Sequence, residues 1–327
     1  MATLNSTDRL TAIEQVKRSG FDPDSRRIIE QMSVTNEMLL DATIVMANDR
    51  TVNTQVIRTA LPHATHRVYN QGVGSTASQT DVIHDVVAQL AIYSKVDKSL
   101  VDNAANPQDF LMGEQAAFID GLAQDQAFDI LYGNHTKDKA CIDGFATRRN
   151  KLVKGLCIDA TGVKGTGTNN RTSIYLIKWG ASNVKYIYPR EANGLGVKRV
   201  DKGVQTISAY DGKGEHEAYV NYYQCDYGIA IGDQRSLIRL ANIDVEHTTG
   251  EELIKAVLKA KAFLPQGDGT VSILCNSDVM SMFDIATVEK NNVVYTAQDP
   301  WGRELNMIRD MRLRRCDSIV NTEAVVA

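Results

Sequence analysis

The chain has 327 residues, 43% of them hydrophobic, enough for two domains or one elaborated domain with a sizeable core. Its 36 basic residues are outnumbered by 40 acidic ones, which excludes the overall cationic surface by which dedicated nucleic-acid binders neutralise phosphates. No window approaches the length of a membrane span, and no basic segment followed by an apolar run opens the chain, so a soluble, unexported protein is expected. The cysteines Cys141, Cys157, Cys225, Cys275 and Cys316 are widely spaced, odd in number and free of C-x-x-C pairs, as expected for reduced, buried thiols of a protein made in a cytosol.

In chain order, the first fifty residues read as an arm of two helices. Ser6 or Thr7 caps the first, with Leu10, Ile13 and Val16 as its apolar positions and Gly20 as its stop. The second starts near Ser25 and carries Ile28, Ile29, Met32, Leu39 and Leu40. From Thr51 the pattern becomes extended: 53–60 and 65–69 are strand candidates broken by Leu61-Pro62, with a turn at Gly72, Gly74 and Ser75. Val82, Val86, Ala88, Leu90 and Ile92 then recur at period two, one face of a single long strand interrupted by His84. This is a long hairpin with little core of its own, and such a hairpin is at best marginally stable alone.

The clearest helix follows, over 106–132. Asn106 suits its N-cap, Pro107 its first turn and Gly133 a left-handed terminus. Phe110, Ala117, Phe118, Leu122 and Phe128 are its expected apolar face, and its length is about 40 Å. Next come two tyrosine-rich strand pairs between Arg171 and Asp244, joined by a Gly-rich link and a hairpin turn at Asp211-Gly212-Lys213-Gly214. Eight of the twelve tyrosines fall between Tyr175 and Tyr227, and tyrosine brings large rigid contact area to surfaces that become covered, so assembly is expected over catalysis. Tyr175 reads as core. Tyr219, Tyr223 and Tyr227, sharing a face with Cys225, suit either an interface or packing inside the subunit. A helix is predicted from Thr249 to Leu264, stopped by Pro265, then a buried strand over 271–275, a helix capped by Ser277 and a last extended segment.

No set of residues able to do chemistry stands out. The run Gly162 to Thr168 lacks the G-K-[ST] order of a phosphate loop, and Gly72-Val73-Gly74 lacks the third glycine of a dinucleotide site. His63 and His66 flank a turn with no Cys or carboxylate cluster nearby, and no nucleophile signature occurs. Asp24, Asp41 and Asp97 have no acid–base context. Arg309, Arg312, Arg314 and Arg315 form the densest basic cluster. Arg312 and Arg314 share a face of an extended strand, and salt bridges are expected over contact with DNA, since Asp310, Asp317 and Glu323 offset much of the charge.

Several motifs resemble the major capsid proteins of short-tailed double-stranded DNA bacteriophages. They are Trp179-Gly180 with Asn183 and Ile187-Tyr188-Pro189, Gly194 and Gly196, and the run Arg239-Leu240-Ala241-Asn242-Ile243-Asp244. Leu61-Pro62 with Arg67 and Asn70, Leu131-Tyr132-Gly133-Asn134, Arg314-Arg315-Cys316-Asp317 and Thr322-Glu323 belong to the same picture. The order of parts, from arm to hairpin to long helix to α+β region, matches as well.

The resemblance implies an α+β Hong Kong 97-type fold: an N-terminal arm over 1–50, an extended hairpin loop over 51–83, a peripheral domain over 84–150 with a spine helix at 106–132, an axial domain over 151–298, and a return to the peripheral domain over 299–327. It implies a non-enzymatic shell subunit, without cofactor or metal, that forms pentamers and hexamers of an icosahedral head enclosing the DNA genome. A near-neutral or mildly acidic wall lets that DNA pack without sticking. Scaffolding and portal proteins, and in some heads a cement protein, are the implied partners, with synthesis in the host cytoplasm. No long N-terminal extension resembles a built-in scaffold, so a separate one is expected.

Arg58, Pro62, Arg67, Tyr69 and Asn70 are the implied inter-subunit contacts of the hairpin, and deleting 53–77 is expected to leave a soluble chain that does not assemble. Some members of the fold join subunits by a lysine–asparagine isopeptide bond. No lysine occurs between Lys17 and Lys95, so this hairpin cannot supply that nucleophile. The rival readings are an encapsulin-like compartment and a soluble α/β enzyme.

Overall fold

The computed structural model describes residues 28, 31–32, 36–160, 171–190, 196–208, 214–290, 296–298 and 304–327. The helix expected after Ser6, the glycine run 162–168, Gly194 and the turn residues 211–213 lie outside the described residues.

The centre of the molecule is a strand buried on both faces. Arg171–Trp179 (β6) alternates two apolar sets: Ile174 and Leu176 point to one core, Tyr175, Ile177 and Trp179 to another, and the whole strand is buried. Such a strand reads as continuous hydrophobicity rather than alternation. On one side it pairs antiparallel with Thr270–Cys275 (β11), to which Met311–Arg315 (β14) adds in parallel. On the other it pairs antiparallel with Leu237–Asp244 (β10), which carries the short Cys157–Asp159 (β5). Two helices, 250–261 and 277–290, cover the Ile174 face, burying Leu253, Val257, Val279 and Phe283. The first has a reciprocal cap between Thr249 and Glu252, the arrangement that stabilises a helix start. It ends at Lys261, short of the expected Leu264. Ser277 proves to be the first residue of the second helix: Asn276 is the cap, its Oδ1 accepting from the Val279 N–H at 3.0 Å.

The sheet continues through the pair Trp179/Val184 into Val184–Tyr188 (β7), then the long Glu215–Ile231 (β9), which pairs with both Ala88–Asp97 (β4) and Val197–Ser208 (β8). The spine helix, Pro107–Tyr132, lies on this part, and Gln126 donates from its core face to the Tyr186 hydroxyl at 2.7 Å. Its buried residues are Ile119, Leu122, Ala123, Gln126, Ala127, Ile130 and Leu131. Of the expected apolar face Leu122 is buried and Phe118 is half-buried against the core, while Phe110, Ala117 and Phe128 are exposed. Counting aromatics misplaced the stripe, which is centred on aliphatic side chains and Gln126. Tyr175 is core as expected, and Tyr186, Tyr223 and Tyr227 are buried inside the subunit, so for Tyr223 and Tyr227 the internal packing holds; Tyr219 is half-buried, and Tyr93 and Tyr222 form an outward ring pair at 4.9 Å.

Gly133 follows the spine helix as expected, but with φ −49°, outside the left-handed region. Its smallness is what matters. A Cβ there would sit 2.5 Å from the carbonyl oxygens of both Asp129 and Ile142. Gly133→Ala is expected to cost about 2–3 kcal/mol through forced backbone movement, measurable by denaturant unfolding; a change below about 0.5 kcal/mol would contradict the close-packing argument.

The single long strand predicted over 82–92 is two strands. Gln79–Val86 (β3) pairs with Val52–Ala60 (β2), while β4 joins the main sheet, and the inward positions change from odd (Ile83, Asp85) to even (Ala88, Ser94, Val96) across Val87. One extra residue reverses which face is buried. No strand forms over 65–69, since nothing lies beside it to pair with.

Candidate assembly surfaces

The β2–β3 ribbon stands off the main sheet as a separate two-stranded unit. Its root is anchored. Asp85 is 2% exposed, Arg148 reaches it at 2.7 Å and also donates to the Ile229 carbonyl, and Gln55 donates to its other oxygen at 3.0 Å. Beyond the root, residues 58–82 are exposed without exception, and Tyr69 is 95% exposed. The structure therefore places Arg58 at the end of β2 and Pro62, Arg67, Tyr69 and Asn70 on the tip, where Asn70 has φ 70°, a left-handed conformation that asparagine tolerates. His63 and His66 are on the same exposed tip. Among the described residues no His, Cys, Asp and Glu group is placed to hold a metal, and no helix is long and apolar enough to cross a membrane.

The arginine cluster is dispersed by its partners. Arg312 meets Asp41 at 2.6 Å and Arg314 meets it through Nε at 2.7 Å, while Arg315 pairs with Asp317 at 2.7 Å and Arg309 is exposed with φ 58° in the turn before β14. Two of the carboxylates expected to offset this cluster belong elsewhere: Asp310 pairs with Lys261, and Glu323 with Arg239. Asp41, which composition gave no role, is the group that holds Arg312 and Arg314. Burial works to raise its carboxyl, but the hydrogen bonds and charges of Arg314 and Arg312 outweigh this and hold it below the usual carboxylate value. Met38–Asp41 is thereby tied to β14, and Ser272 of β11 adds a hydrogen bond to Asp41 at 2.9 Å.

Glu323 gathers three of the motifs into one buried network. It accepts from Arg239 at 2.9 Å, from the Tyr132 hydroxyl and from Ser173, and both members of the ion pair are 5% exposed. Burial, then the neighbouring Tyr175 and Glu323, push the Tyr132 hydroxyl up, so it stays a proton donor. Asn242, with φ 62° at a bulge in β10, exchanges hydrogen bonds with the Val326 backbone at 2.8 and 2.9 Å. Asn183 accepts from Ser236 at 3.0 Å and donates to the Asp268 carbonyl. These motif residues hold the C-terminal segment and the loops against the sheet. They are scaffold, and nothing in their arrangement presents a nucleophile to a cavity.

The cysteines fit the same reading. All five are free; four are buried and Cys141 is partly exposed. Burial pushes Cys225 up to about 12 and Cys316 up to about 11. A disulfide reagent at pH 8 is expected to modify one thiol of the native chain, Cys141, and all five after denaturation. Rapid reaction of two or more native thiols would contradict this.

A sheet-centred α+β subunit with a coreless projecting ribbon, a long spine helix and a C-terminal segment tied to the sheet defines a shell-forming protein of the Hong Kong 97-type fold. The chain belongs to the family described as major capsid protein GP7, whose model matches residues 22–327, and is a tailed-phage major capsid protein. Among solved structures it is similar to bacteriophage Epsilon15, at 27% identity over 88% of each chain with a TM-score of 0.67. It also resembles the capsid of bacteriophage JBD30, at 12% identity over 86% of this chain and 89% of that one, TM-score 0.48. The holo-SrpI encapsulin complex from Synechococcus elongatus PCC 7942 is a distant fold relative, at 11% identity over 65% of this chain and 89% of that one, TM-score 0.41. No curated protein matches the chain.

Proposed function

We propose that this capsid protein forms the pentamers and hexamers of an icosahedral phage head enclosing double-stranded DNA, and that it does so without enzymatic activity. The observation that carries this reading is the ribbon of residues 52–86, anchored at its root by the Arg148–Asp85 ion pair and uncovered beyond it, over residues 58–82. An exposed ribbon with apolar side chains persists only if something covers it, and a shell supplies neighbours burying on the order of 2,000 Å² or more. Arg58, Pro62, Arg67, Tyr69 and Asn70 are the proposed contacts with the adjacent subunit. The proposed division is an arm to residue 50, the hairpin to 83, a peripheral domain around the spine helix, an axial domain over 151–298 and a peripheral return from 299. Assembly uses a separate scaffolding protein and a portal, with or without a cement protein, in the host bacterial cytoplasm. Family membership favours a DNA-filled head over an enzyme-filled compartment and over a soluble enzyme.

Electron microscopy of particles from producing cells tests the reading: closed shells or rings of five and six are expected, and a chain that stays monomeric beside its scaffold would overturn it. Because no lysine lies between Lys17 and Lys95, the hairpin supplies no lysine nucleophile for an isopeptide link, and boiled particles are expected to run at 36.0 kDa on a denaturing gel. A ladder of higher bands would show covalent joining.

A further inference from the structure

We infer that the bare face of the three-stranded sheet β4–β9–β8 docks an acidic accessory protein of the finished particle. This rests on the reading of the chain as a shell subunit. On β4 the even positions Ala88, Leu90 and Ile92 pack into the core beneath the spine helix, and the odd positions Gln89, Ala91, Tyr93 and Lys95 are exposed. Strand register carries that outward face across the sheet: Tyr93 stands beside Tyr222 and Tyr222 beside Val200, while Ala91 stands beside Gln224 and Gln224 beside Lys198.

At the centre of the face the Tyr93 and Tyr222 rings lie 4.9 Å apart, and Tyr93 is 48% exposed. Lysines surround them. The Lys202 ammonium sits 4.9 Å from the Tyr93 ring centre and the Lys95 ammonium 6.0 Å from it, with Lys198 one pair further along β8. Among the described residues none of these three lysines has a carboxylate within salt-bridge distance, although Lys98, Lys255 and Lys261 each have one. The carboxylate that shares the face, Asp226, is held by amides, with Gln89 donating at 2.9 Å and Gln224 at 3.0 Å. A chain richer in acids than in bases has thus gathered cations around an aromatic pair and left them without counter-charge.

Chemistry selects the occupant. Tyrosine rings give the rigid contact area of an interface centre, and charges at the rim choose a partner of opposite sign. From Gln89 to Lys95 the face runs about 20 Å, and three strands make it about 10 Å across, the middle of a standard interface rather than all of one. Other occupants fit less well. The hairpin 51–80 of a second copy contains Arg58 and Arg67 and no aspartate or glutamate, so its charge has the same sign as the lysines. The spine helix Pro107–Tyr132 is acidic and has no lysine or arginine, but it lies on the opposite face of this sheet. Joining those two faces would stack subunits in layers, an open-ended contact, instead of side by side in a closed shell. Duplex DNA would meet the lysines, yet its paired bases leave the tyrosine rings nothing to stack on.

Carbodiimide, which joins lysine amines to carboxylates without a spacer, tests this on particles from producing cells. Mass spectrometry is expected to find Lys95, Lys198 or Lys202 joined to an aspartate or glutamate of a second polypeptide. Acetylation of the three lysines is expected to be at least fivefold slower in finished particles than in the isolated subunit. All three are exposed, so replacing them takes no buried contact from the subunit. Lys95→Glu with Lys198→Glu and Lys202→Glu is expected to form closed shells at native yield, with the accessory polypeptide lowered at least tenfold per subunit. Tyr93→Ser, which keeps every charge, is expected to lower it at least fivefold, whereas a contact with DNA phosphates would not respond to loss of the ring. Cross-links from these lysines only to another copy of the chain or to the scaffolding protein, formaldehyde links to DNA, or unchanged accessory content in the triple variant would overturn the docking site. Particles holding this chain alone, with the three lysines as reactive as in the isolated subunit, would overturn it as well. A native chain that forms no shells beside its scaffold would instead sink the shell reading itself, so the two failures are distinguishable.

Discussion

A chain in which 57–81 is replaced by Asn-Gly is expected to fold with its melting temperature unchanged within about 2 °C and to form no closed shells. None of the removed residues is buried, so the excision takes no core contact from the subunit, and surface changes of this kind are usually within about 0.5 kcal/mol. Val56 and Val82 are already a cross-strand pair, which lets a two-residue turn close the shortened ribbon. The boundaries matter: the wider deletion from Asn53 expected from sequence removes a residue that is 3% exposed and pairs across the ribbon with Asp85, so it would damage the anchored root as well. Sedimentation and electron microscopy separate the outcomes. A shortened chain that still gives normal shells sinks the assembly role of the hairpin.

Asp41→Asn is expected to destabilise the subunit by about 3 kcal/mol, the lower end for breaking a buried ion pair, because Arg312 and Arg314 are 28% and 18% exposed and recover part of their hydration. For a chain of this size that corresponds to a fall of roughly 6 °C in melting temperature. Replacing the whole set, Asp41→Leu with Arg312→Met and Arg314→Met, is expected to restore most of the loss, since apolar groups of similar volume leave no uncompensated charge. The same carboxylate sets an acid limit. Its value lies below the ordinary 3.8, so the clamp contributes fully above about pH 4 and is lost as the pH falls through the depressed value. Acid titration of the native chain should show this loss below pH 4, and Asp41→Asn should lack it. A variant melting within 1 °C of the native chain would mean that the arginines find equivalent partners.

Much of the architecture was legible in the order of residues because local rules decide it. The spine helix over 107–132, the helix starting near Thr249, the strand 271–275 and the existence of the hairpin follow from caps, prolines and periodicity that act within a few residues. The absence of chemical motifs and the phage-capsid resemblance were readable in the same way. What sequence could not decide was which face of an element meets which neighbour. The spine helix buries Ile119, Leu122, Ile130 and Leu131 together with Ala123 and the polar Gln126, and leaves the rings of Phe110 and Phe128 exposed, because its inner face meets a sheet already lined by Tyr186, Tyr223 and Tyr227. Asp41 and Arg314 are far apart in the chain, as are Glu323 and Arg239, and a charge pair of that separation leaves no periodic trace. Local propensity fixes elements; packing and burial of charge, which depend on the whole chain at once, fix faces and partners.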